Sequence, residues 1–232
     1  MQKHDVIDAL LRQGNVATLS QLYHATDISS WKTKTPFASI RRILQKNAEF
    51  FKIQPGLWGL SDYKKEILDK FPIKNNKISD NNEFTHTYYQ GIIAEIGNSR
   101  NFKTFVPAQD KNRLFVNRKL GEVATTDKCD FTYPEIVRFA KTVDVIWFNE
   151  RNLPNSFFEV EHSTDFKNSI NKFYELQDFR AKFWIAGKQE RRRQFEDVIN
   201  ASIYCPIKKL VRFVDYENLV KQYEKEMSRD LL

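Results

Sequence analysis

Asp144, Glu159 and Glu161 stand out because each is an acid set in an apolar run. Asp144 lies in Thr142-Val143-Asp144-Val145-Ile146-Trp147-Phe148. The two glutamates lie in Ser156-Phe157-Phe158-Glu159-Val160-Glu161-His162. Both runs are rich in β-branched and aromatic residues, which predicts two strands paired through the turn at 149–155. Side chains alternate along a strand, so Glu159 and Glu161 share one face while Val160 and His162 take the other. Three carboxylates brought together repel unless a cation intervenes. A hard divalent ion such as Mg2+ takes oxygen ligands of this kind and keeps several waters. It could orient a hydroxide for in-line attack on phosphorus and stabilise the charge that develops. The competing reading is a solvent-facing strand edge with an exposed acidic stripe. The flanking Val143, Val145, Ile146, Phe157, Phe158 and Val160 weigh against it.

Other reactive residue types carry less. His162 reads as a packing or hydrogen-bonding histidine rather than a catalytic one. His4, His24 and His86 show no partner pattern. Arg191-Arg192-Arg193 reads as a solvated helix face that could touch a nucleic-acid backbone.

The elements that must hold these acids alternate between the two hydrophobic periods. Phe84, Tyr88, Ile92 and Ile96 mark a helix ending near Gly97, followed by a strand at 102–106. Residues 107–141 resist assignment, apart from a possible strand at 114–116. Beyond the acid-bearing strands come a helix over about 168–180, a strand at 181–186 and a helix over 189–200. A strand at 210–214 and a helix over 217–227 end the chain. Such alternation predicts a mixed sheet with helical flanks, α/β (α+β) in class.

The first sixty residues differ in kind. Val6, Ile7, Leu10 and Leu11 recur at helical spacing until Gly14, and Thr18 can cap a second helix carrying Leu19, Leu22 and Tyr23. Thr35-Pro36 starts a third, with Phe37, Ile40 and Leu44 inward and Ala38, Arg41, Arg42 and Gln45 outward. Two β-prone runs around Pro55-Gly56 make a hairpin. Three helices and a hairpin are the plan of a winged helix. Its third helix would offer Arg41, Arg42 and Gln45 to the major groove, and the hairpin would bring Lys52 near phosphate. A winged helix used for protein contacts is the alternative. The polar stretch 74–82 reads as part of a linker, or as a long surface loop. The expected division is 1–61 winged helix, 62–83 linker and 84–232 second domain.

Two resemblances follow from these residues. Trp31-Lys32-Thr33-Lys34-Thr35-Pro36, with the hairpin ending Pro55-Gly56-Leu57-Trp58-Gly59-Leu60, resembles the HARE-HTH winged helices over about residues 2–61. That likeness implies DNA contact and adds Lys32, Thr33 and Lys34 to the candidate DNA-binding residues. From about 84 to 200 the order Glu95, Asp144, Glu159-x-Glu161 is similar to the PD-(D/E)xK nuclease superfamily. It implies a restriction-endonuclease-like fold and Mg2+, as one or two ions. Asp144 and Glu159 would bind metal, Val160 would lend its backbone carbonyl, and Glu95 would support the metal's waters from the first helix. Glu161 stands where lysine is usual, a departure found in a minority of restriction endonucleases of the superfamily. It would bind a second metal or orient the attacking water, or the lysine role would fall to Lys167 or Lys172. The run 158–164 also resembles restriction-like proteins carrying Glu-x-Glu-His-Ser.

Composition is consistent with this reading. The chain has 232 residues, 41% of them hydrophobic, and 37 Lys+Arg against 30 Asp+Glu, a net charge of +7. That balance favours polyanion partners. No run approaches the roughly 18 apolar residues of a membrane span. Cys129 and Cys205 sit in no zinc or disulfide pattern, so a reducing, cytoplasmic setting is expected. The expectation is a Mg2+-dependent, restriction-type endonuclease on double-stranded DNA, as a homodimer. A DNA-binding regulator with an inactive, dimerising nuclease fold is the rival, and a repair nuclease differs only in substrate.

Overall fold

The computed structural model describes residues 2–70, 82–162 and 165–229. The core of the expected linker, 71–81, and Ser163 and Thr164 of the Glu-x-Glu-His-Ser run lie outside the described residues. The chain forms two compact units. One comprises residues 1–84 together with 222–232, and the other residues 85–221. The terminal residues thus group with the first unit, which the periodicity did not foresee.

In the first unit, α1 (Gln2–Arg12) ends where Gly14 and Asn15 take left-handed backbone, at φ +77° and +71°. This turn feeds β1 (Val16–Thr18), a short strand absent from the sequence expectation. Thr18 then caps α2 (Leu19–Ala25). Its hydroxyl accepts from Gln21 N while the Gln21 side chain accepts from Thr18 N, a reciprocal capping box. Pro36 opens α3 (Pro36–Lys46), but Thr35 makes no side-chain cap; its carbonyl accepts from Ser39 N. β2 (Phe50–Gln54) and β3 (Leu57–Leu60) form the expected hairpin, with Gly56 at φ +78°, and α4 (Lys64–Lys70) follows. The sheet order is β1-β3-β2, all antiparallel. Val6, Leu10, Leu22, Ile40 and Leu44 close the core beneath it, and Trp31 Nε1 ties in by donating to Asp5 at 2.7 Å.

The second unit begins within α5 (Asn82–Ser99), at residue 85, and continues with β4 (Lys103–Phe105). The unassigned region holds β5 (Leu114–Phe115) and β6 (Arg118–Lys119), a ribbon apart from the main sheet. It also holds α6 (Leu120–Val123) and α7 (Pro134–Ala140). Then come β7 (Val145–Phe148), β8 (Pro154–Glu161), α8 (Phe166–Tyr174), β9 (Lys182–Gly187), α9 (Arg192–Ile199), β10 (Val211–Asp215) and α10 (Tyr216–Arg229). The main sheet runs β10-β9-β8-β7-β4. Its β8-β9-β10 half is parallel, linked by α8 and α9, and its β8-β7-β4 half is antiparallel, so the sheet is mixed, as expected. Phe157, Phe166, Phe173, Phe183 and Phe195 are among the aromatics that fill the layer between sheet and helices.

Two glycines let α5 lie close to its neighbours. A Cβ at Gly97 would stand 2.6 Å from both Thr104 and the Trp147 indole, and one at Gly91 would stand 2.2 Å from Phe115. The Trp147 indole N–H donates to the Ile93 carbonyl at 3.1 Å, locking α5 against β7. That lock sets the face that α5 turns toward Asp144.

Candidate functional site

Asp144 does not lie within a strand; it immediately precedes β7. Because β7 pairs antiparallel with β8, with Val145 opposite Phe158, this position stands beside Glu159 and Val160. Its Oδ2 accepts from Val160 N at 2.7 Å, and its own N–H donates to Glu159 Oε1 at 3.3 Å. Asp144, Glu159 and Glu161 are all buried, at 8%, 3% and 4% exposure, so the solvent-facing stripe is excluded. The alternation argument holds, since both glutamates reach Ser169 Oγ on α8 (Glu159 Oε2 at 3.1 Å). A hydroxyl has one proton, so Ser169 can donate to only one of the two carboxylates at a time. The remaining contact is favourable only if one acid carries a proton or a cation joins them.

Lys172, one turn further along α8, places Nζ 3.0 and 2.9 Å from the two oxygens of Glu159 and 2.8 Å from the Thr142 carbonyl. Lys167 is exposed, so of the two expected stand-ins it is Lys172 that meets the acids. Burial and the neighbouring Asp144 push the Glu159 carboxyl well above the usual carboxylate range, against the opposing pull of Lys172. Burial alone would depress the Lys172 ammonium. Glu159, Asp144 and Glu161 outweigh it and raise the pKa, keeping the amine charged.

The helical contribution differs from the expected one. Glu95 pairs with Arg118. Nine residues separate it from His86, which at 100° per residue sets the two on opposite sides of α5 and about 13 Å apart along its axis. The side chains α5 brings to Asp144 are His86 and Gln90, four residues apart on one face. His86 Nε2 lies 3.2 Å from Asp144 Oδ1. Gln90 Nε2 lies 2.8 Å from Asp110 Oδ2 and 3.5 Å from Asp144 Oδ1. Asp110, from the loop after β4, is buried and also meets Arg113 Nε at 3.2 Å. His86, Asp110 and Asp144 each offer a ligand atom within 4.8 Å of the others. Burial lowers the His86 pKa, but its hydrogen bond to Asp144 and the charges of Asp144 and Asp110 prevail and raise it.

Sequence reasoning missed His86, Gln90, Asp110 and Ser169. The i,i+4 spacing of His86 and Gln90 on a recognised helix was the one available signal. Asp110 lies in a stretch without period. His162 packs as expected, buried with its ring parallel to Tyr216 at 6.2 Å. Arg191 is not simply solvated: it donates to the Glu161 carbonyl at 3.2 Å and covers the Phe166 ring.

In the first unit, Arg41, Arg42 and Gln45 are exposed on α3, Lys52 is exposed on β2, and Lys32 and Lys34 are exposed before α3. Thr33 is half-buried, its hydroxyl accepting from Thr35 N at 3.1 Å. Arg41 is already engaged, donating to Tyr23 Oη at 3.0 Å and to Glu224 Oε2 at 2.8 Å.

A family model, the type II restriction enzyme NmeDI C-terminal domain, matches residues 69–231, more than two thirds of the chain. The chain is 22% identical over 138 residues to the type II restriction enzyme NmeDI of Neisseria meningitidis serogroup C. That match covers 54% of this chain and 39% of the relative. The chain therefore spans well under half the length of the curated relative it matches. No solved structure matches. Among the described residues no helix is long and apolar enough to cross a membrane.

Proposed function

The chain belongs to the family of the type II restriction enzyme NmeDI C-terminal domain, and from that premise we propose that it is a Mg2+-dependent endonuclease of double-stranded DNA. The observation that carries this reading is the burial of Asp144, Glu159 and Glu161 together, with Lys172 on Glu159. Burying several carboxylates side by side is costly unless a cation is part of the design.

The donor set fits a divalent ion. Asp144 and Glu159 approach from adjacent strands, Val160 lies between the glutamates, and Ser169 has too few protons to satisfy both. A bound Mg2+ would supply Lewis acidity toward phosphorus and a water of lowered pKa. The residues themselves do the rest. Asp144 is oriented by the Val160 N–H, which holds one carboxylate oxygen and leaves lone pairs on both. Lys172 keeps Glu159 in place, and its ammonium can donate a hydrogen bond to a phosphate oxygen or an attacking water, the usual lysine task transferred to α8. Glu161, steadied by Ser169, is placed to accept a proton from water or to ligate a second ion.

We further assign the first unit as a winged helix that grips duplex DNA through α3 and β2, with Arg42, Gln45, Lys52, Lys32 and Lys34 outward. The second unit is assigned the PD-(D/E)xK fold, for which the order of the mixed sheet and the antiparallel pairing of β7, which Asp144 precedes, with the glutamate-bearing β8 give support. Cutting two strands calls for two sites, so a homodimer is the expected assembly.

The test is cleavage of methylated and unmethylated plasmid and genomic DNA with Mg2+, comparing wild type with Glu159→Ala. Discrete fragments from wild type alone are the expected result. Tight DNA binding without cleavage of either substrate would overturn the reading in favour of a DNA-binding regulator with a retired nuclease fold.

A further inference from the structure

His86, Asp110 and Asp144 face one another from α5, the loop after β4 and the start of β7, and only Asp144 belongs to the acid set considered so far. We propose that these three residues form a second ion site built for a divalent transition metal, Mn2+ in the first instance, with Gln90 as a fourth, oxygen-donating ligand. The inference rests on the reading of Asp144 as a metal ligand, and it extends that reading to a set of residues with different chemistry.

Distance comes first. An ion about 2.1 Å from each ligand holds cis ligand atoms roughly 3.0 Å apart and trans ones roughly 4.2 Å. His86 Nε2 and Asp144 Oδ1 are 3.2 Å apart, and the three candidate atoms all fall within 4.8 Å of one another. A small inward adjustment closes them on one ion. Second, Gln90 is fully buried, yet its Oε1 has no hydrogen-bond partner among the described residues while its amide nitrogen is held between Asp110 and Asp144. A buried amide oxygen without a donor is costly in an apolar setting. Turning the amide over would bring Oε1 to the position its nitrogen holds between the aspartates, where a cation would satisfy it. Third, both aspartates keep capacity. Asp110 meets Gln90 through one oxygen and Arg113 through the other, Asp144 Oδ2 meets Val160 N, and Asp144 Oδ1 faces His86 and Gln90, the two side chains that would themselves turn to the ion.

The ligand types decide which ion. Mg2+ is held by oxygen and dehydrates reluctantly, whereas imidazole nitrogen suits the first-row transition metals. A site of one imidazole, two carboxylates and an amide oxygen therefore discriminates toward Mn2+ and its heavier neighbours. The Asp144–Glu159 face, with oxygen donors only, does not.

The direct measurement uses the full chain, stripped of metal, and Mn2+ alone. Electron spin echo envelope modulation of bound Mn2+ should show a coordinated imidazole nitrogen in wild type. That signal should vanish in His86→Gln, with Mn2+ affinity falling at least tenfold and Mg2+ affinity changing less than threefold. Asp110→Asn, which keeps the side chain's shape, should also weaken Mn2+ at least fivefold, so the conclusion does not hang on one variant. Circular dichroism of both variants checks that they fold. Mn2+ bound equally well by His86→Gln, or no nitrogen coupling in wild type, overturns the proposal. Glu159→Ala separates it from the nuclease reading. Nitrogen-coupled Mn2+ in both wild type and Glu159→Ala, with no cleavage of DNA by wild type, leaves this site standing and sinks the nuclease. Cleavage lost in Glu159→Ala with no nitrogen coupling anywhere does the reverse.

Discussion

The two candidate working surfaces of this chain are opposites. Around Asp144 the three acids are buried and engaged, with Lys172 and His86 half-buried beside them: Val160 N, Gln90 and His86 at Asp144, Lys172 and Ser169 at Glu159, Ser169 at Glu161. On α3 and β2 the charges of Arg42, Lys52 and Gln45's neighbours stand in solvent, and Arg41 alone is tied down among the arginines of that helix, by Tyr23 and Glu224. A buried polar cluster is over-determined, because each group without a partner costs on the order of 1–3 kcal/mol. An exposed basic face is under-determined, because water and counterions serve as well as any one partner until a polyanion displaces them. Losing one member should therefore be severe in the first region and graded in the second.

The sharpest break would come at the buried acids. Glu159→Ala or Asp144→Asn should lower the cleavage rate by about a thousandfold or more while DNA affinity measured without metal changes little. Equal loss of both in a gel-shift and a cleavage assay would show that the acids serve folding rather than chemistry. Lys172→Ala should cost about a hundredfold in rate, and Lys172→Arg should recover only part of it, since a guanidinium is broader than an ammonium. Rates unchanged by Lys172→Ala would return the lysine's task to another group.

On the exposed face the expected effects are smaller. Arg42→Ala should raise Kd roughly fivefold and reduce the salt slope of binding by about one. An unchanged slope would reject α3 as the DNA-contacting helix. Glu224→Gln should have the smallest effect and the opposite sign, tightening DNA binding a few-fold by releasing Arg41. The same variant tests stability. Burial raises the Glu224 carboxyl above its ordinary range, against the pull of Arg41 and Lys52. A raised folded-state pKa means that stability present at low pH is lost as pH rises through that value. The melting temperature of wild type should therefore fall relative to Glu224→Gln between the ordinary glutamate range and neutrality, by an amount worth no more than about 1 kcal/mol. Parallel pH curves for the two proteins would show that Glu224 carries no such burden.

Much of the scaffold was legible because it rests on local rules. Thr18 caps as its position demands, Gly14 ends α1, Pro55-Gly56 turns the hairpin, and the alternation of Phe157, Phe158, Glu159, Val160 and Glu161 puts both glutamates at Ser169. Boundaries were less secure. Helical periodicity carried α8 on to Arg180, whereas the helix ends at Tyr174, and Asp144 was placed inside a strand it only precedes.

The sequence by itself determined which residues could carry charge into a core and the order of the elements that hold them. Tertiary structure decided which side chains those acids meet. Glu95 had the right type in the right helix, but the Gly97–Trp147 contact fixes how α5 lies on the sheet, and that orientation gives Asp144 to His86 and Gln90. Asp110 belongs to a loop with no period to read, and Lys172 reaches Glu159 only because α8 crosses back beside β8. Such contacts join residues 13 to 58 positions apart. They depend on how helices pack against the sheet, which no local pattern encodes.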